Sequence, residues 1–123
     1  MMKTMEFLIE NQGTSERTYY LPLKDPSRLI GFYVSAGGAQ TGGHVQIEDG
    51  DGNKIMEAEL ENIDSAGDVL KGKWDASASE AQKKAIFDID NPLVMKIDLQ
   101  ADTTVGVQLM VDPFLIGAHE GLS

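Results

Sequence analysis

The chain has 123 residues, a net charge of −10 and no cysteine. That length suits one domain around one core. The charge argues against DNA, RNA or an anionic membrane as partner, since each needs concentrated positive charge, and the missing thiols exclude a disulfide scaffold, a thiolate zinc site and a cysteine nucleophile. Hydrophobic residues at 41% and charged residues at 24% are the proportions of a globular fold, not of a disordered chain.

The start, MMKTMEFLIENQG, has one lysine and an apolar run broken by Glu6 and Glu10. It lacks the apolar stretch and small-residue cleavage site of a secretory signal. No segment approaches the roughly 18 apolar residues of a membrane span. A soluble, unexported, cytoplasmic protein is the expectation from these features.

From there the period is two. MEFLIE (5–10) and RTYYLPL (17–23) read as strands, followed by LIGFYVSA (29–36), where Ile30, Phe32 and Val34 are expected on one face. VSAGGAQTGGHV (34–45) reads as a long flexible loop, and HVQIE then places Val45 and Ile47 inward. NKIMEAEL (53–60), VLKGKW (69–74) and AIFDI (85–89) are further strands; VMKIDL buries Met95, Ile97 and Leu99, and TVGVQLMV buries Val105, Val107, Leu109 and Val111. Turn residues separate these stretches. SASEAQKKA (77–85) breaks the pattern: Ser77 and Glu80 read as a capping box opening one short helical turn. The sum is an all-β single domain, an antiparallel β-sandwich or jelly roll of about eight or nine strands.

Little in the chain is chemical. DGDGN places Asp49, Asp51 and Asn53 at alternate positions like a calcium loop, but Lys54 stands where glycine is needed and Leu60 where a bidentate glutamate is needed. A hairpin turn explains the same residues, with a weak sandwich-type calcium site as the alternative. GDVLKGKW imitates a phosphate-binding loop but has Trp74 in place of Ser or Thr. Two histidines, His44 and His119, and no G-x-S-x-G elbow leave no catalytic residue to name. No enzyme and no cofactor are expected.

The ends are apolar. Asp112-Pro113 is expected to stop the last strand, and Phe114, Leu115 and Ile116 follow it outside the alternating pattern. The start contributes Phe7 and Leu8. Either both ends fold back on the sandwich as extra strands, or segments 1–10 and 113–123 are arms that reach a neighbouring subunit. With Trp74, these residues are the candidate interface: Phe7, Leu8, Trp74, Phe114, Leu115 and Ile116.

In its size, its cysteine-free and signal-free composition and its run of short alternating strands, the chain resembles the small capsid decoration or cement proteins of tailed bacteriophages. The resemblance implies a structural protein of the virion, assembling with itself as a trimer and binding a major capsid protein to stabilise the shell. Two other readings remain: a carbohydrate- or calcium-binding module using DGDGN and the tyrosines, and a small β-barrel or cupin-type enzyme, against which the shortage of histidine counts.

Overall fold

The computed structural model describes residues 2–10 and 13–113. Within them lie ten strands: β1 (Lys3–Ile9), β2 (Arg17–Leu21), β3 (Ser27–Ala36), β4 (Gly43–Glu48), β5 (Lys54–Glu59), β6 (Val69–Lys71), β7 (Lys73–Trp74), β8 (Ile86–Phe87), β9 (Leu93–Leu99) and β10 (Val105–Pro113). A 3-10 turn (Leu60–Asn62) follows β5, and one short helix, α1 (Glu80–Lys83), precedes β8.

The strands form two antiparallel five-stranded sheets. Sheet A runs β1-β10-β3-β6, with β8 also paired to β3; sheet B runs β2-β9-β4-β5-β7. The pairings are nested. β4 pairs β5, β3 pairs β6 and β8, β2 pairs β9, and β1 pairs β10. One long antiparallel ribbon, reversed at Asp49–Asn53, is rolled so that β10 also meets β3 and β9 also meets β4. This is the strand order of a jelly roll.

The rolled ribbon buries one core between its layers. Phe32, Val34, Val107 and Leu109 from sheet A meet Val45, Ile47, Met95 and Ile97 from sheet B. Alternation along each strand puts these residues inward and their neighbours outward.

Four local expectations give way to tertiary structure. In β3 the register slips, so that Met110 opposes Gly31 and Val111 opposes Leu29. Ile30 is the extra residue of this bulge and is exposed, while Leu29 takes the inward place. The helix cap sits two residues later than expected. The Ser77 backbone N–H and hydroxyl are both held by the Asp75 carboxylate, so Ser79 caps the N–H of Gln82, whose side chain accepts from the N–H of Ser79. The last strand does not stop before Pro113 but keeps its register through it, opposite Ser27. The glycine-rich loop after β3 is pinned. Gln40 is 4% exposed; its Oε1 accepts from the N–H groups of Gln100 and Ala101, and its Nε2 donates to the Ala101 carbonyl.

VLKGKW is one strand in sequence and two in space. β6 belongs to sheet A and β7 to sheet B, and the chain changes layer at Gly72. The Gly72 N–H donates to the Phe32 carbonyl at 2.8 Å. A Cβ at Gly72 would collide with the Phe32 ring, which is 0% exposed and has no room to retreat.

Gly72→Ala should therefore lower stability by about 1–3 kcal/mol, the range for forcing extra volume into a packed core. Gly38→Ala, where a Cβ would meet nothing within 4 Å, should stay within about 0.5 kcal/mol of the native protein. Urea unfolding of both variants checks the pair. Equal midpoints would mean that the corner tolerates a side chain.

Candidate functional site

The DGDGN segment is the tip of the β4–β5 hairpin, and its carboxylate is turned onto its own backbone. Asp49 Oδ1 accepts from the N–H groups of Asp51 and Asn53 at 3.0 and 2.9 Å, and Oδ2 accepts from the Asn53 side-chain amide at 3.0 Å. Gly52 takes φ +87°, a conformation that side chains resist, and its N–H donates to the Asp49 carbonyl. The Gly50 N–H reaches across to Asn91 Oδ1 at 3.3 Å. Both Asp49 oxygens are thus occupied by loop donors, and among the described residues no group of three or more His, Cys, Asp or Glu side chains is placed to hold a metal ion.

The outer face of sheet B is ionic. Gln46 donates to Glu57, Lys54 contacts Glu57 at 2.9 Å and Asp75 at 3.3 Å, Lys96 contacts Glu48 at 3.2 Å, and His44 lies 3.0 Å from Glu16. Hydrogen bonding with Glu59, then with Lys54 and Gln46, pulls the Glu57 carboxyl down to about 2. The same carboxyl–carboxyl contact, aided by burial, raises Glu59. Beside this pair, a depression of about 450 Å³ is walled by Glu57, Glu59, Leu70, Lys73 and the half-buried Trp74.

The outer face of sheet A is different. One row crosses it as Leu8, Gly106, Ser35 and Val69; the next as Glu6, Gln108, Tyr33 and Lys71; the next as Thr4, Met110 and Gly31. Along these rows the ionic side chains are Glu6, which accepts from Gln108 at 3.1 Å, and Lys71. Leu8 is 70% and Val69 61% exposed. Between them Gly106 offers no side chain and Ser35 only a hydroxyl, leaving a trough of about 480 Å³. β1 is also an edge strand: it pairs with β10 on one side and with no described strand on the other.

Among the described residues, the expected interface residues Phe7, Leu8 and Trp74 lie on different faces. Phe7 points inward and packs against the core, whereas its neighbour Leu8 stands on the surface of sheet A. Trp74 lies in sheet B, packed against the core edge. Phe114, Leu115 and Ile116 lie outside the described residues. The tyrosines also separate: Tyr19 packs on the core, Tyr20 is exposed on β2 of sheet B, and Tyr33 faces outward from sheet A. Ser35, Val69 and Gly106 were not singled out by sequence. The available signal was Gly106, a lone glycine on the outward side of a valine-rich strand.

No family model, curated protein or solved structure matches the chain. No helix among the described residues is long and apolar enough to cross a membrane.

Two measurements follow from this geometry. Asp49→Ala removes the acceptor of three loop hydrogen bonds and should cost about 1–2 kcal/mol, while calcium or a chelator should leave the native Tm unchanged; a calcium-dependent rise would show that the loop releases its carboxylate to the ion. The Lys54–Glu57 contact should be pH-bounded. Glu57, lowered in the fold, contributes fully above its ordinary 4.5 and loses that contribution as pH falls towards about 2. Lys54, raised mainly by its hydrogen bond to Glu57, contributes below its ordinary 10.5 and loses that contribution above it. The Tm deficit of Lys54→Met should be level between about pH 5 and 10 and shrink at either end.

Proposed function

We propose that the chain is a non-enzymatic assembly protein that docks onto other protein subunits through the outer face of sheet A and the free edge of β1. The observation that carries the reading is the contrast between the two layers. Sheet B turns an ionic lattice to solvent, whereas sheet A presents Leu8 and Val69 around a trough whose one ionic lining side chain is Glu6. On a chain of net charge −10, an apolar surface is the one place where another acidic subunit approaches with the least repulsion. An edge strand with apolar residues and no proline is likewise open to pairing with another chain.

In its finer form the proposal is a virion decoration protein that binds a major capsid protein as a trimer. That form is supported by the resemblance in size, composition and strand pattern, and by the strand order, which capsid domains share with lectins and cupins. The fold alone does not decide among these functions. No catalytic residue and no cofactor enter the reading.

Light scattering after size exclusion tests the core of it: the native chain should elute as a defined oligomer, and a monomer at every concentration tried would count against self-assembly. For the finer form, the protein should co-sediment with particles on a density gradient of a producing lysate; recovery only in the soluble fractions would exclude a decoration role.

A further inference from the structure

Resting on the assembly reading, we infer that the trough on sheet A receives Phe114, Leu115 and Ile116 of a neighbouring copy of this chain. The argument begins with reach. β10 delivers the chain at Pro113, whereas the trough is centred on Gly106, at the other end of the same strand. Seven residues of antiparallel strand separate the two, about 24 Å. Ile116 lies three residues beyond Pro113 and extends at most about 11 Å from it. A chain's own Phe114–Ile116 therefore cannot fill its own trough, and a second copy's can.

Shape and charge agree with that occupant. Leu8 and Val69 stand on strands three spacings apart, about 14 Å, with Gly106 and Ser35 as the floor. That is a slot for one extended segment laid across the sheet with large side chains pointing down. In an extended segment Phe114 and Ile116 share a face about 7 Å apart. The row Leu8–Gly106–Ser35–Val69 carries no charge, and neither does FLIGA, residues 114–118. The contact joins this uncharged row, with Glu6 at the margin of the trough, to an uncharged five-residue segment of an acidic chain. Because slot and segment are different parts of the molecule, the contact is heterologous: it closes into a ring or is exchanged reciprocally in a pair.

The test uses the full chain. Leu8→Glu with Val69→Glu alters two exposed side chains and blocks the trough; Phe114→Asp with Ile116→Asp blocks the segment. The native chain should run as a multiple of its 13.3 kDa mass. Each double variant should run as a monomer with native circular dichroism. Mixed in equal amounts, the two should form a one-to-one complex, since each retains the half that the other lacks; recovery on mixing also shows that both are folded. A monomeric native chain overturns this inference and the self-assembly reading together. A native oligomer indifferent to Leu8→Glu/Val69→Glu overturns the trough alone and leaves assembly standing. An oligomer that the trough variant breaks and the segment variant does not would mean two troughs packed face to face. Monomeric variants that fail to recover on mixing would likewise overturn the pairing of segment with trough.

Discussion

The two layers are clasped at Gly72, where the chain leaves sheet A and joins sheet B against the ring of Phe32. Only bare backbone fits there. Because it does, Val69–Lys71 stays on β3 while Lys73–Trp74 stays on β5, and one edge of the sandwich is closed by covalent chain. The closure fixes the outer surface as well as the core. Leu70 and Trp74 are drawn against the core, and Val69 and Lys71 are turned out onto the face of sheet A. The far wall of the trough is thus set by the corner, and a change at Gly72 would be felt at the trough as well as in stability.

The acidic character of the chain is managed by segregation. On sheet B carboxylates are interleaved with Lys54, Lys96, Gln46 and His44, so that repulsion is offset locally and the face is well solvated. Such exposed pairs contribute little to stability individually. Sheet A is more sparsely charged, with Glu6 and Lys71 as the ionic side chains along its central rows. A surface of that kind loses little hydration when covered, whereas sheet B would have to strip water from many charges. The asymmetry makes sheet A the layer that would lose less hydration on being covered.

Much of the fold was legible because a strand with one buried face must alternate. Val45 and Ile47, the Met95–Ile97–Leu99 set, and the four inward residues of β10 all lie where the alternation puts them. The DGDGN turn was legible for a related reason: the residues that tolerate a tight reversal are the same in every hairpin. The misplaced residues have other causes: a competitor remote in sequence for Ile30 and for the loop around Gln40, and a nearby carboxylate for Ser77. Ile30 moved outward because a register slip against Met110 and Val111 cannot be seen in β3 alone. The glycine-rich loop looked loose until Gln40 met Gln100 and Ala101 across the sandwich end. Ser77 lost its capping role to a neighbour's carboxylate. The trough was illegible for the first of these reasons. Leu8, Gly106, Ser35 and Val69 are scattered along the chain and become one surface only through strand order.

The nested pairing also orders events in time. The innermost rung joins Glu48 to Lys54, close in sequence, while the outermost joins Lys3 to Val111, nearly the whole described chain apart. Closing a loop becomes costlier with its length, so the ribbon should zip from the hairpin tip outward, with β1 and β10 meeting last; folds dominated by such distant pairings form slowly. During that interval β10 offers an open edge shaped for β1, and every newly made copy nearby carries the same strand. A chain folding alone completes the last rung with its own terminus. On the assembly reading proposed above, one folding among its own kind would complete it with a neighbour's, interlinking subunits through their backbones and not merely laying them side by side.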